Sequence, residues 1–352
     1  QASHVMVDDT FTKKFCGSSG VPGSTLLHLR DTFETRHPRH ERSATAASFR
    51  WENWHVGGGQ YSMLRTPCAS YFSPDADDNS NLFEDLTDMI TEFGQRQLGM
   101  NAVTPPWMSC YVDGHEQRLH TDSTHGPWAF VLSLTPDDCV TALEDGGGDT
   151  LIMNPSVLDY WRGYDGFARE EGDLFQSVRP QMGRIIAFDP RLPHGVRQVR
   201  GPRHMSRGRL VIHGWFSEPT PFFYGGLAVS NNPEEGGEAL EEAAASVLDG
   251  ALSVAMGSIS SLGRLTGCLS ARVTVCGKTG KVTGVDALCD TLVVDPDDFQ
   301  GIIGYTENDE PITEDARADV LLALHGALSS AKFPVPLSGT NDTEITVPFI
   351  FE

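Results

Sequence analysis

The stretch RLHTDSTHGPWAFVLSLT, residues 118–135, joins a polar loop to an apolar run. His120 and Asp122 stand two apart at its head, and His125 follows. Side chains of an extended chain repeat every two residues, so a His-x-Asp at a strand end sends both side chains to one side. Alone, the pair is equally a set of polar residues in a solvated loop, and its meaning depends on what stands around it. Around it are short strand-like runs: MSCYV, WAFVLSLT, DTLIMN, GRIIAFD and RLVIHGWF, with Gly, Pro and Asp between them. Several such strands in series predict a sandwich or barrel. Before them, LFEDLTDMITEFGQRQLG (82–99) has apolar residues at helical spacing.

Two downstream runs supply partners. GRIIAFDPRLPHGVRQV (183–199) is an apolar strand followed by a proline turn and His194. GRLVIHGWF (208–216) is a strand that begins with Arg209. Two imidazoles and one carboxylate make the facial triad that holds Fe(II) and leaves coordination positions open. A fixed guanidinium pairs a carboxylate bidentately. Arg207 shares a face with Arg209 in an extended chain and is its rival; Val211 and His213 continue that face.

With these segments in order, the sequence resembles the 2-oxoglutarate- and Fe(II)-dependent dioxygenases, in particular their prolyl 4-hydroxylase-like branch. The likeness covers about 105–217: Tyr111 and Gly114 in YVDGHEQRLHTD, the strand WAFVLSLT, the DGGGDT turn, GRIIAFDPRLPHGV and RGRLVIHGWF. It implies a mainly β fold, a double-stranded β-helix or jelly-roll with supporting helices. It implies Fe(II) on His120, Asp122 and His194, and 2-oxoglutarate chelating that iron with its far carboxylate on Arg209, where Trp215 follows at the family's usual offset. O2 is the second cosubstrate and ascorbate a reductant. Tyr111, Ser133 and His213 fall in the cosubstrate pocket; Ser133 stands where related enzymes carry Tyr. The implied activity is hydroxylation of an unactivated C–H, first of all on a prolyl residue of a peptide or protein. A free amino acid or small metabolite is the alternative substrate. A non-catalytic binding protein on the same scaffold is the rival class, and a cupin-like metalloprotein has no use for Arg209.

Other residues near these motifs have two readings. Thr150 approaches the site or merely opens a strand. His125 is a loop residue or a further ligand, and Trp128 a core residue or a substrate platform. Arg197 and Arg203 grip a substrate carboxylate or lie on the surface. The connection 154–180 is long enough for a lid, with Tyr160, Trp161 and Tyr164 facing substrate or packing the loop down.

The formal net charge of −22 over 352 residues argues against nucleic acid, which selects a basic stripe; RHPRHER (36–42) is only a short basic patch. No run of 18 apolar residues is present, so no membrane span is expected. Seven widely spaced cysteines without a Cys-x-x-Cys read as reduced thiols, and the start QASHVMVDDTFTKKF as neither signal nor transit peptide, which together point to the cytoplasm.

All six Trp lie before residue 220. SNNPEEGG (230–237) reads as a linker, which sets an oxygenase domain at 1–229 and a second module at 238–352. In that module GEALEEAAASVLDGALSVAM (237–256) and TEDARADVLLALHGALSS (313–330) are helical, the latter with Thr313 as N-cap. CLSARVTVCGKTGKVTGVDAL (268–288) is two strands around a turn, and TEITVPFIFE (343–352) a last strand. This small α+β pattern resembles the C-terminal domains of TonB-like proteins, which implies protein binding or dimerisation, with an edge strand that accepts a peptide.

Overall fold

The computed structural model describes residues 4–17, 20–37, 52–55, 61–72, 81–122, 125–143, 147–155, 174–228, 237–294, 304–305, 311–312, 316–336 and 341–351. The chain divides into two compact units. One is Val5–Glu92 with Ala102–Ser217; the other is Gln1–His4, Phe93–Asn101 and Glu218–Glu352.

The strands of the first part of the chain are β1 (Val5–Asp8), β2 (Glu52–His55), β3 (Tyr61–Pro67), β4 (Met100–Val103), β5 (Trp107–Tyr111) and β6 (Glu116–His120). They continue with β7 (Trp128–Ser133), β8 (Thr150–Met153), β9 (Phe175–Val178), β10 (Ile185–Phe188), β11 (His194–Val196) and β12 (Arg209–Pro219). They form one sheet in the order β1-β10-β7-β12-β5-β3-β6-β11-β8-β9, with β2 on β3 and β4 on β12. Neighbours run antiparallel, as in the register Ile185↔Leu132 and Val211↔Ser133. Strands distant in this order share apolar clusters. Met63, Tyr111 and Val211 pack with Val196, and Ala129 and Phe188 pack with Ile152 and Val178. The sheet is therefore curled on itself, and its inner faces make a jelly-roll core. The strand-rich fold expected from the apolar runs is present, and each of the five runs is a strand.

Among the described residues, the helices that support it are α1 (Phe11–Lys14), α2 (Ser24–Arg36), α3 (Cys68–Tyr71), α4 (Leu82–Phe93) and α5 (Asp137–Val140). In α4, Leu82, Leu86, Met89, Ile90 and Phe93 are buried at helical spacing, and Glu84 and Asp85 sit in its first turn, where the dipole favours them. The helix expected over 82–99 stops being α-helical at Phe93. Residues 94–98 make a π turn that closes at Gly99, whose φ of 68° is the left-handed cap conformation.

Helix α2 buries an arginine. Arg30 is 3% exposed; its Nη2 donates to the Ser206 carbonyl at 2.6 Å and its Nη1 to that of Leu134 at 3.3 Å, while Glu34 accepts from Nε at 3.0 Å. The side chain thus ties the helix to the segments that follow β7 and precede β12. Arg30→Met leaves those two carbonyls without their donor and should lower stability by about 2–4 kcal/mol in urea unfolding.

The second unit holds β13 (Phe222–Gly225), α6 (Gly237–Ile259), β14 (Leu265–Val275), β15 (Val282–Asp290), β16 (Val293–Val294), β17 (Gly304–Tyr305), β18 (Pro311–Ile312), α7 (Ala316–Leu328) and β19 (Thr343–Phe351). Its main sheet runs β13-β19-β14-β15. Because β13 pairs with β19, the chain from Glu218 onward belongs here, ahead of the polar stretch 230–237. Leu248, Ala255 and Ile259 of α6 and Val320, Leu324 and Leu328 of α7 pack on Leu269, Val273, Ile345 and Val347 of the sheet. Among the described residues, Gly237–Leu262 is the one helical segment long and apolar enough to cross a membrane. Thr313, the lid residues Tyr160, Trp161 and Tyr164, and residues 38–42 of the basic patch lie outside the described residues.

Candidate metal and cosubstrate site

Strands β6 and β11 pair so that His120 and His194 stand directly opposite each other. Asp122 follows β6 and its N–H donates to the Pro190 carbonyl, which holds the loop down beside β11. The result is a cluster of three. His194 Nε2 lies 3.4 Å from Asp122 Oδ2 and His120 Nε2 3.7 Å from Asp122 Oδ1. The two rings are 4.3 Å apart at their centroids, and one ligand atom from each residue lies within 4.8 Å of the others.

The orientation of the imidazoles is fixed from behind. His120 Nδ1 donates to the Arg118 carbonyl at 3.0 Å and His194 Nδ1 to the Leu192 carbonyl at 2.9 Å. A carbonyl can only accept, so each Nδ1 carries the proton and each Nε2 turns a lone pair toward the cluster. That is the tautomer a metal ligand requires, oriented by its other nitrogen. Gln117 Nε2 donates to His120 Nε2 at 3.2 Å, which reports the same lone pair. Burial lowers the pKa of His120, with the neighbouring His194 adding to it, so the ring stays neutral. Burial alone would raise the pKa of Asp122, but its closeness to His194, His120 and His125 brings it below the usual carboxylate range.

The cluster opens into a cavity of ≈ 250 Å³ between the two faces of the curled sheet. At its far end lies Arg209, 1% exposed, on the first residue of β12. Its Nη2 donates to Thr150 Oγ1 at 2.9 Å, and its Cζ stands 4.8 Å over the Tyr111 ring. Its Nε and Nη1 are buried with no hydrogen-bond partner among the described residues. A buried guanidinium in a cavity lining that keeps donors in hand is a receptor for a carboxylate, which binds along the Nη1–Nη2 or the Nε–Nη2 edge. The donor set therefore fits 2-oxoglutarate at one end and a divalent metal at the other.

The remaining expected residues fall as follows. Tyr111 and His213 line the cavity. Tyr111 Oη donates to Gln117 Oε1 at 3.2 Å. His213 is bonded to Ser109 Oγ at 2.8 Å; burial, aided by the charges of Arg209 and Arg65, pushes its pKa down to about 4, so it is neutral. Ser133 is not brought to the cavity lining. It stands opposite Val211, but its short side chain turns back and accepts the N–H of Thr135 at 3.2 Å. Arg207 is held in a short 3-10 turn and pairs with Asp138 at the surface. Thr150 touches Arg209, and Trp128 is fully buried. His125 stacks on Trp215 with centroids 4.3 Å apart, in the cavity lining but outside the three-residue cluster. Arg203 is 88% exposed and pairs with Asp113, and Arg197 is exposed. Missed in the sequence were Met63, Arg65 and Gln117, all in the lining. The period-two pattern Tyr61, Met63, Arg65 was the available signal for the first two.

Residues 106–217 match the family model of the 2OG-Fe(II) oxygenase superfamily. That family uses Fe(II), 2-oxoglutarate and O2, and the match supports a dioxygenase. Among solved structures, the chain is similar to a prolyl hydroxylase from Trichoplax adhaerens in complex with a hypoxia inducible factor oxygen degradation domain peptide fragment. That likeness is at 13% identity over 61% of this chain and 84% of that one, with a TM-score of 0.40. It is similar also to a Pseudomonas putida prolyl-4-hydroxylase, at 15% identity over 61% and 93% of the two chains, TM-score 0.39. A viral collagen prolyl hydroxylase from Paramecium Bursaria Chlorella virus-1 shows 12% identity over 60% and 95%, TM-score 0.34. No curated protein matches the chain.

Proposed function

We propose that the chain is an Fe(II)- and 2-oxoglutarate-dependent hydroxylase of unactivated C–H bonds, with a prolyl residue of a peptide or protein as the first substrate class. The observation that carries this is the pairing of two features in one cavity: the His120–Asp122–His194 cluster with both Nδ1 atoms tied back, and Arg209 with two idle buried donors. A binding scaffold needs neither. In this reading His120, Asp122 and His194 hold the metal, and Arg209, with Thr150 beside it, takes the far carboxylate of 2-oxoglutarate.

The chemistry supplied by the bound metal with 2-oxoglutarate and O2 is replacement of a substrate hydrogen by hydroxyl, with succinate and carbon dioxide as co-products. The chain's own residues set it up. The Arg118 and Leu192 carbonyls hold both imidazoles by Nδ1 and so aim both Nε2 atoms at the cluster. Asp122 stays ionised beside them, so the ligand set carries one negative charge. Neutral His213, held by Ser109, lines the cavity without adding a charge. Phe188 lies edge-on to His194, and Trp215 adds apolar surface to the cavity lining.

The prolyl assignment rests on the order of motifs over 105–217, and a free amino acid or small metabolite is the second reading, favoured by the small cavity. For the second unit, whose main sheet has β15 at one end among the described residues, we propose protein binding or dimerisation. The test is anaerobic mixing of the protein with Fe(II) and 2-oxoglutarate. A weak visible charge-transfer band that requires both components is expected, followed by succinate release on admitting O2 with proline-containing peptides. A folded protein that gives no band refutes the hydroxylase reading; a band without peptide turnover moves the substrate to the second class.

A further inference from the structure

We infer that Gln117 is a second cosubstrate-binding residue: its side-chain amide donates to an oxygen at the metal-chelating end of 2-oxoglutarate, opposite the carboxylate that Arg209 takes. The inference rests on the hydroxylase reading above and deepens its account of the same cavity. Gln117 reaches that cavity through an irregularity of β6. In the pairing of β6 with β11, His120 stands opposite His194 and Gln117 opposite Val196, so three steps along β6 match two along β11. An extra residue of this kind is a bulge, and it brings side chains three apart to one face. All four residues accordingly line the cavity.

The neighbours of the amide settle which way it points. His120 Nδ1 donates to the Arg118 carbonyl, so His120 Nε2 carries a lone pair, and the atom 3.2 Å from it is the Gln117 nitrogen. The Gln117 oxygen faces the other way and accepts from Tyr111 Oη at 3.2 Å. Tyr111 in turn lies under Arg209, whose Cζ is 4.8 Å from the ring centroid. Gln117 therefore stands between the two ends of the cosubstrate site. The His120 lone pair has a single use. A divalent metal takes it at about 2.1 Å, and the Gln117 N–H then needs a new acceptor beside that metal. The positive end of an amide dipole does not turn toward a cation; it turns to an anionic oxygen bound there. Asp122 and the imidazoles are spent on the metal, and 2-oxoglutarate brings the anionic oxygen that remains. A hydrogen bond to a charged oxygen is the stronger kind.

The test reads two affinities in the full chain under anaerobic conditions. Calorimetry gives the affinity for Fe(II) alone, and the charge-transfer band gives that of the iron-loaded protein for 2-oxoglutarate. Gln117→Met removes the amide without adding charge. Gln117→Glu keeps the oxygen that accepts from Tyr111 and removes the N–H. Each variant should bind 2-oxoglutarate about 10- to 100-fold more weakly than the parent. Each should bind Fe(II) at least as tightly, because no N–H competes for the His120 lone pair. A merely structural role would weaken both affinities together. Unchanged 2-oxoglutarate affinity in either variant overturns the inference. Loss of iron binding in Gln117→Glu overturns it too, since the amide would then act on His120 or Asp122. Absence of the band in the unaltered protein is a different result: it removes the hydroxylase reading and the inference with it.

Discussion

Arg209→Met is expected to weaken 2-oxoglutarate binding by about 10²- to 10³-fold while making the ligand-free protein more stable. The first part follows from burial. Arg209 is 1% exposed, so a carboxylate that reaches it has left water. Removing one partner of a fully desolvated, hydrogen-bonded pair costs about 3–5 kcal/mol, because the other charge is left buried. The second part follows from the idle donors. Without a ligand, Nε and Nη1 are buried unsatisfied, and burial already lowers the arginine's pKa against the help of Tyr111 and Asp149. Met fills a similar volume without that cost, and such replacements are neutral or stabilising by about 1–4 kcal/mol. The two effects have opposite signs, so they separate a ligand-receiving arginine from a structural one. Thermal unfolding checks both at once. The unaltered protein should gain stability with added 2-oxoglutarate and metal, whereas Arg209→Met should start higher and gain little. A variant that unfolds earlier than the parent, with unchanged cosubstrate affinity, sinks the assignment.

The same energetics explain what the sequence does and does not reveal. Apolar runs such as IIAF of β10 are buried at every position, and a run of that kind is legible without any partner. His120, Asp122, His194 and Arg209 are legible because side-chain chemistry limits what such a set is for. Strand β3 is not legible in this way. It reads YSMLRTP, with Arg65 on the inner face where an apolar residue would mark a strand. Strand β6 reads EQRLH, and nothing in its polarity predicts a strand; its place comes from pairing with β11 and β3. Helix α2 fails for a related reason, since Thr25 and Arg30 break its buried stripe. Ser133 shows the limit of resemblance. Its backbone sits opposite Val211 in the lining, but a serine is too short to do what a longer side chain does there, and its hydroxyl is used by its own strand. In each case the missing information is a long-range partner, which sequence spacing does not encode.

Gly195→Ala should abolish tight Fe(II) binding although it touches none of the three ligands. Gly195 follows His194 on β11, in the irregular step of its pairing with β6. A Cβ there would lie 2.4 Å from the Gln117 backbone oxygen and 3.2 Å from the Arg118 carbonyl carbon. Both neighbours are backbone of β6, so no side chain can swing aside. The strands must separate by roughly half an ångström or more to restore van der Waals contact. That separation falls on the strand pair that opposes His194 to His120, and it also disturbs the Arg118 carbonyl that orients His120. Metal sites tolerate about 0.2 Å in ligand distance, and disturbing an orienting partner alone costs about 10- to 100-fold in affinity. A loss at least that large is expected, read by anaerobic Fe(II) titration with the charge-transfer band as signal. Gly250→Ala, in the middle of α6 with open space around its Cβ position, is the control. It should leave iron binding unchanged and add about 0.5–1 kcal/mol of stability through helix propensity. If Gly195→Ala binds iron as tightly as the control does, the close approach of β11 to β6 is not what brings the two imidazoles together, and the cluster must be positioned from the Asp122 loop instead.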